Sequence, residues 1–434
     1  MTLRQHMKKN LSLATPVMIG QLGHIMVSVA DTAMVGKVGV IPLAAATFAG
    51  TFIAILMLFG IGVSYAITPM VAADEHNRPQ ILKYVQNAFL VNTLLGVLIV
   101  LLLLGISPFL GAFGQEEEVA ATARPYLLIA GSSLLPLMIF QTFRQFSEGK
   151  SNTLFPMIVS IGANLLNVSL NYLLIFGKLG FPQMGLNGAG WATFISRVVM
   201  SVMMIWIIRK ELKGFSWTFE SSLIKRLVRL GVPSGLQYIF EVSAFAIAAI
   251  MVGWLGAEAL AAHQIALNMA AVTYMAATGI AAAAQIRIAN QMGLKDLLTL
   301  RQAGFTCFRL VAAFMTFCGM SFILFRGFLP SLYIDNLQVQ ELAASLLIIA
   351  AAFQISDGLQ AVGLGVLRGL TDVKVPTLVT FMAFGVIAIP LGYLLGFTMN
   401  LGVRGVWYAL SIGLTIAAIL HIIRFQSLTK KLQF

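Results

Sequence analysis

The chain has 434 residues, of which 59% are apolar and only 10% are charged, and its formal net charge is +12 at pH 7. Soluble domains average about 25% charged residues, so this composition excludes an ordinary soluble protein and indicates a membrane protein. The net positive charge would suggest a nucleic-acid partner in a soluble protein, but here the positions of the charges explain it better as membrane topology. We therefore expect the lipid bilayer, and no nucleic acid, as a partner.

Apolar runs long enough to cross a bilayer, about 20 helical residues each, occur twelve times along the chain. Their predicted bounds are 11–35, 42–72, 82–107, 121–147, 153–177, 186–208, 223–252, 259–284, 303–325, 339–366, 374–397 and 402–424. Most of the 28 lysines and arginines lie at the ends of these runs that share a side with the N-terminus. Because basic residues favour the cytoplasmic side, both termini are predicted to be cytoplasmic.

The second half of the chain repeats the first. Pro16 corresponds to Pro233, and Gly36, which ends the sequence Met-Val-Gly, corresponds to Gly253, which ends the same tripeptide. An even number of spans in each half gives both copies the same orientation in the membrane. The predicted fold is an all-α polytopic membrane protein with two parallel-repeat bundles of six helices. The predicted segments are an amino-terminal lobe at 1–208, a basic cytoplasmic linker at 209–222 and a carboxyl-terminal lobe at 223–434.

Three acidic residues interrupt the apolar runs: Asp31, Glu241 and Asp357. An acid at the centre of a membrane helix costs about 2.5 to 3.5 kcal/mol on insertion scales, and such acids usually mark an ion, proton or substrate pathway. The alternative is an acid neutralised by a permanent partner that only fixes packing. Among the cationic residues, only Arg197 lies away from the ends of the predicted spans and could be a buried partner, and one cation cannot neutralise three acids.

Further polar and aromatic residues fall in the same predicted helices as these acids. Asn164, Asn167 and Asn171 lie on one side of the fifth helix, at spacings of three and four residues. They either form interhelical hydrogen bonds or complete an oxygen-rich cation site with Asp31. The seventh and eighth helices contribute Phe245, Gln264, Asn268 and Tyr274. Aromatic and amide groups near an acid suit an organic cation, although Phe245 alone is equally compatible with core packing.

Several motifs of enzymes and pumps are absent from the sequence. It contains no HExxH, GxSxG, Walker GxxxxGK[ST] or GxGxxG motif, so hydrolysis, ATP-driven pumping and dinucleotide chemistry are not expected. Cys307 and Cys318 are about 16 Å apart along one predicted helix, too far for a disulfide. We expect neither an enzyme nor a resident cofactor.

Five motifs together resemble the multidrug and toxic compound extrusion (MATE) transporters, and within them the bacterial NorM-type branch. They are PxxxGQLGHxxxxxxDTxMVG at 16–36, NVSLNYLLIFG at 167–177, GLNGAGWAT at 185–193, PSGLQYIFE at 233–241 and SDGLQAVGLGVLRG at 356–369. The resemblance covers essentially the whole chain. It implies a V-shaped pair of six-helix lobes in the bacterial inner membrane that exports hydrophobic organic cations in exchange for Na⁺ or H⁺. A monomer is expected.

The same resemblance implies two cation sites. The amino-lobe site would comprise Asp31 with Asn167, Asn171 and Thr193. The carboxyl-lobe site would comprise Glu241, Asp357 and Tyr274. Candidate Na⁺ ligands are thus Asp31, Asn167, Asn171, Glu241 and Asp357, and candidate substrate contacts add Thr193, Phe245, Gln264 and Tyr274.

Two positions depart from the family pattern, and two other functions remain as alternatives. Phe353 stands where NorM-type relatives often have a tyrosine, and Asn171 stands where other branches have an aspartate, so the coupling ion stays open. One alternative is a lipid-linked oligosaccharide flippase of the same superfamily, which would need cations to hold a pyrophosphate. Another alternative is a channel. The internal repeat, with acids in both halves, argues against a channel.

Overall fold

A computed structural model of the chain describes residues 2–432, in which twelve helices are long and apolar enough to cross a membrane. They are α1 Leu3–Gly36, α2 Val40–Ala73, α3 Arg78–Phe113, α4 Glu117–Gly149, α5 Leu154–Phe176, α6 Gly185–Ile208, α7 Ser221–Gly253, α8 Ala257–Gly293, α9 Leu297–Leu324, α10 Leu337–Gly369, α11 Lys374–Thr398 and α12 Gly402–Lys431. The predicted all-α fold with twelve spans is confirmed. Every predicted span lies on its own helix, because apolar length is a property of the local sequence.

Some of these helices are interrupted, and α11 is the clearest case. Its regular α-helical geometry gives way to wider π-helical turns at Phe381–Ala388 and again at Leu394–Thr398. Pro390 lies between the two segments. A proline lacks the backbone N–H that an α-helix needs and clashes with the preceding turn, and π-turns are one of the ways in which a helix accommodates such a disruption.

Helix α1 begins at Leu3, eight residues before the predicted start at 11. The additional turns carry polar residues that hydropathy alone would assign to solvent, but His6 and Asn10 are buried. The Arg287 guanidinium on α8 donates to Asn10 Oδ1 at 2.8 Å and to the His6 carbonyl at 3.3 Å. Because a tertiary contact satisfies these polar groups, the helix extends beyond the apolar run.

The helices form two compact units, and their boundaries differ from the predicted lobes. One unit comprises residues 19–235, and the other comprises residues 1–18 together with 236–434. The beginning of α7 belongs with the amino-terminal helices, and the beginning of α1 belongs with the carboxyl-terminal helices. The units are therefore not divided at the predicted positions 208 and 223. Each of these two long helices is shared between the units.

Glycines explain why the first half of α7 packs within the unit 19–235. A methyl group placed on Gly62 of α2 would lie 2.6 Å from Cα of Gly235, and one placed on Gly231 would lie 2.6 Å from the Val63 carbonyl oxygen. The two helix backbones thus touch directly. Small residues at such crossings allow membrane helices to pack through van der Waals contact.

The segment predicted as a cytoplasmic linker also packs within this unit. Thr218 Oγ1 donates to Gln86 Oε1 at 2.9 Å, and the Glu220 backbone N–H donates to Asn87 Oδ1 at 2.8 Å. Lys83 forms an ion pair with Glu220 at 2.6 Å. The linker therefore lies along the start of α3 and is bonded to it.

The crossing of α2 and α7 generates a prediction. Gly62→Ala should lower the melting temperature of the purified protein, because overpacking a tight contact costs about 1 to 3 kcal/mol. Gly50→Ala on the same helix should leave it unchanged or raise it, since nothing lies within 4 Å of the added methyl and alanine favours helix. Thermal unfolding in detergent would measure both variants. Equal melting temperatures would show that the backbone contact is unimportant.

Candidate cation-binding sites

The first site lies in the unit 19–235, where α1 meets α5. Asn171 Nδ2 donates to Asp31 Oδ1 at 2.5 Å and also contacts Asn167 Oδ1 at 3.1 Å. The approach of the two helices depends on Gly23, because a methyl group there would lie 3.1 Å from Asn164 Nδ2. The asparagine face predicted on α5 therefore meets the acid predicted on α1.

Helix α6 closes this site on the other side of the asparagines. Asn167 Nδ2 lies 3.5 Å from Thr193 Oγ1 and 3.4 Å from Ser196 Oγ. Thr193 thus lies next to Asn167, with which the resemblance grouped it. Ser196 was not predicted, since a lone serine in an apolar run carries no signal in the sequence. Asn171 Oδ1 is buried and accepts no hydrogen bond from the described residues, which leaves an amide oxygen beside the carboxylate for a bound cation.

Arg197 on α6 lies near this site without pairing with its acid. Its guanidinium donates to Ser133 Oγ at 2.7 Å and contacts Met57 Sδ at 3.4 Å. Asp31 is close enough to Arg197 to interact with it electrostatically, but the four ion pairs of residues 2–432 do not include these two side chains. Arg197 therefore lowers the energy of a negative charge on Asp31 without occupying its oxygens.

The second site lies in the other unit, where α7, α8 and α10 meet. Tyr274 Oη on α8 donates to Glu241 Oε1 on α7 at 3.2 Å. Asp357 on α10 interacts electrostatically with Glu241. Both carboxylates are buried, with 7% and 4% of their residue surfaces exposed. Gln360, one turn after Asp357, approaches the Glu241 carboxylate without reaching hydrogen-bonding geometry. Glu241 and Tyr274, which the resemblance placed together, are thus in contact, and Asp357 is near enough to Glu241 to interact with it electrostatically.

An aromatic cluster lies beside these carboxylates. The ring of Phe245 has its centroid 6.2 Å from that of Phe353 and 6.2 Å from that of Phe384. Phe353 in turn packs against Trp407 with a centroid distance of 5.4 Å. Phe353 is fully buried in this cluster and adds no oxygen. Phe245 is half-buried, so it belongs to the core and still presents part of its ring.

Arginines other than Arg197 are buried, contrary to the expectation that Arg197 is the only buried cation, and one of them interacts with Glu241. Arg368, near the end of α10, is 7% exposed and donates to Gln237 Oε1 at 2.7 Å. Its guanidinium lies 5.4 Å from the centre of the Tyr238 ring, and it interacts electrostatically with Glu241. Because Arg368 lies near the end of a helix, its side chain was expected to face solvent. The packing of α7 against α10 buries it instead.

Not every candidate joins a site. Gln264 Nε2 donates to Asn268 Oδ1 at 3.2 Å, and both side chains are exposed on α8. Gln264 precedes Tyr274 by ten residues, about 15 Å along a helix. The structure therefore does not bring Gln264 to Glu241, and its role in substrate binding stays a prediction.

The chemistry of both sites suits a monovalent cation better than a transition metal. Within residues 2–432 no group of three or more His, Cys, Asp and Glu side chains is arranged to hold a metal ion. Each site instead combines one or two carboxylates with neutral amide or hydroxyl groups. Oxygen ligands suit hard cations, and the buried carboxylates equally suit a proton or an organic ammonium group.

Comparison with known proteins places this arrangement in a family. The family model MatE matches residues 16–173 and 233–394. A probable multidrug resistance protein NorM from Rhizobium meliloti is 33% identical, over 98% of this chain and 94% of its own. The multidrug resistance protein MdtK from Yersinia pseudotuberculosis is 34% identical, over 97% of this chain and 95% of its own.

Solved structures show the same fold. A mutant of the Vibrio cholerae MATE transporter VcmN matches with a TM-score of 0.91 and 19% identity, covering 99% of this chain and 98% of that one. The eukaryotic MATE transporter AtDTX14 matches with a TM-score of 0.86 and 20% identity, with the same coverage. With the family model and the curated relatives matching both halves of the chain, the protein belongs to the MatE family and is a bacterial, multi-pass multidrug efflux transporter of the NorM type.

Proposed function

We propose that this transporter exports hydrophobic organic cations in exchange for Na⁺ or H⁺, by competition for the buried carboxylates. The observation that carries the proposal is that Glu241 and Asp357 are both buried and are close enough to interact electrostatically. Neither forms an ion pair within residues 2–432. Two carboxylates at close range repel when both are ionised. Uptake of a proton, Na⁺ or an organic cation removes this repulsion.

The groups around this pair support a site that takes each of these species in turn. Tyr274 is neutral, so it orients the Glu241 carboxylate without cancelling its charge. The half-buried ring of Phe245 can attract an organic cation through its π face. Arg368 donates to Gln237 and forms no ion pair with Glu241 within residues 2–432. A substrate cation and a coupling ion therefore compete for the same oxygens.

The amino-terminal site is a second place for the same competition. Asp31 with Asn171 and Asn167 offers a carboxylate and amide oxygens to one cation. The membrane potential is worth about 2.3 kcal/mol per elementary charge per 100 mV, which is enough for one entering charge to drive the release of another. We place the protein in the inner membrane as a monomer with both termini in the cytoplasm. It has no enzymatic activity and needs no cofactor beyond the coupling ion.

The carboxylate pair generates the first prediction of this scheme. Glu241→Gln and Asp357→Asn should each reduce efflux of a fluorescent cationic dye from reconstituted vesicles by at least about tenfold, since loss of about 1.4 kcal/mol of binding energy already has that effect. An imposed Na⁺ gradient and an imposed pH gradient would be tested separately, so that the coupling ion is identified. Glu258→Gln, an exposed acid at the start of α8, is the matched control and should transport normally. Normal efflux in both site variants would exclude the scheme.

The amino-terminal acid generates the second prediction. In purified protein loaded with an ethidium-like cation, Na⁺ or acid pH should displace the cation. Asp31→Asn should weaken this displacement, because the substitution turns the only carboxylate among the amino-terminal site residues named above into a neutral amide. Fluorescence of the bound cation measures the effect. Asp335→Asn, at an exposed acid before α10, should behave as the wild type. Unchanged displacement in Asp31→Asn would restrict ion coupling to the other site.

A further inference from the structure

A basic cavity that transport does not use lies where the segment after α6 crosses the start of α3. Its volume is about 430 Å³, and its lining includes Arg78, Lys83, Gln86, Lys213, Ser216 and Thr218. All of these residues belong to the unit 19–235. The cavity therefore exists within a single compact body and is separate from both cation sites.

Hydrogen bonds between the two segments build the cavity. Arg78 Nη2 donates to the Lys213 carbonyl at 3.1 Å, so the start of α3 holds the segment after α6. At the other end, Thr218 Oγ1 donates to Gln86 Oε1 at 2.9 Å, and Gln86 is buried. Gly214, with a φ of 93°, turns the chain between these two attachments. Such a left-handed conformation favours glycine.

The charges that face the cavity are unbalanced. Lys83 is neutralised by its ion pair with Glu220 at 2.6 Å. Arg78 and Lys213 form no ion pair within residues 2–432, and both side chains are exposed. Two positive charges therefore remain, beside the hydroxyl group of Ser216, which can donate a hydrogen bond. This combination suits a phosphate group.

Aromatic side chains place the cavity at the level of the lipid headgroups. Trp217 and Phe219, on the same segment, are 66% and 48% exposed. Trp206, at the end of α6, is 63% exposed, and the guanidinium of Arg209 lies 4.4 Å from the centre of its ring. Tryptophan with flanking arginine is typical of the boundary between hydrocarbon and water. A free phosphate ion would not contact these apolar surfaces, whereas the acyl chains of a phospholipid would cover them.

We propose that this cavity binds the headgroup of an anionic phospholipid. Arg78 and Lys213 would hold the phosphate, Ser216 would donate a hydrogen bond to it, and the acyl chains would lie against Trp217 and Phe219. Basic pockets beside membrane helices bind such headgroups in this way. The lipid would join the segment 209–220 to α3 and so stabilise the unit 19–235. This function is independent of the cation sites, and it holds whichever ion drives transport.

The test measures lipid retention by the purified full-length transporter. Native mass spectrometry after delipidation and addition of phosphatidylglycerol should show one bound lipid, and added phosphatidylglycerol should raise the melting temperature, while phosphatidylcholine should do neither. The double variant Arg78→Gln/Lys213→Gln should bind phosphatidylglycerol at least about tenfold more weakly, since each basic residue near an anionic surface is worth about 1 kcal/mol. The double variant Lys430→Gln/Lys431→Gln, with the same loss of charge at exposed positions of α12, should bind normally.

Further arms separate the possible outcomes. Soluble glycerol phosphate should not displace the lipid at millimolar concentration; displacement would identify a small-phosphate site and overturn the proposal. Equal binding by both double variants, or equal stabilisation by the two lipids, would overturn it as well. Because the first double variant could fold poorly, the exchange Arg78→Lys/Lys213→Arg is included and should retain binding. Dye efflux in vesicles of neutral lipid should be the same in all variants, because none of these residues lies in the cation sites.

Discussion

Every buried carboxylate in a membrane helix needs a cation or a hydrogen-bond donor beside it. The acids of the transporter differ in which of these partners they have. Glu148, which is buried in α4, has a permanent partner, since Arg144 lies one turn away at 2.7 Å. Asp31 has only the amide of Asn171 as a hydrogen-bond donor. Glu241 has a tyrosine hydroxyl and a second acid, Asp357. Glu148 is therefore a structural acid, whereas Asp31, Glu241 and Asp357 are suited to exchanging one cation for another.

The positions of these acids depend on how closely the helices approach. Gly23 allows α1 to reach the asparagine face of α5, and Gly62 and Gly235 bring α2 and α7 into backbone contact. Association between membrane helices gains little from the hydrophobic effect, because lipid chains are as apolar as leucine. Packing of small residues and hydrogen bonds between side chains must provide the stability instead. The same contacts that hold each unit together thus also define the geometry of its site.

The two arginines near the sites have a common arrangement. Arg197 is bonded to Ser133 and Met57, and Arg368 to Gln237 and Tyr238. Neither arginine forms an ion pair with the neighbouring acid within residues 2–432, so neither closes its site. A direct ion pair would be a poor alternative, because a cation would then have to break it in order to bind. The basic residues around 78 and 213 differ, since they face an exposed cavity at the level of the headgroups.

The sequence by itself determined the twelve helices, the internal repeat, the buried acids and the asparagine face of α5. These features depend on apolar length and on helical spacing, which are local properties. Tertiary structure decided the rest: the early start of α1, the division of α1 and α7 between the two units, the burial of Arg368 and the exposure of Gln264. For Asn10 and Arg368, a partner distant in the chain determines that the polar side chain is buried. No local pattern records that partner, because the same residue at a helix end can face either solvent or another helix.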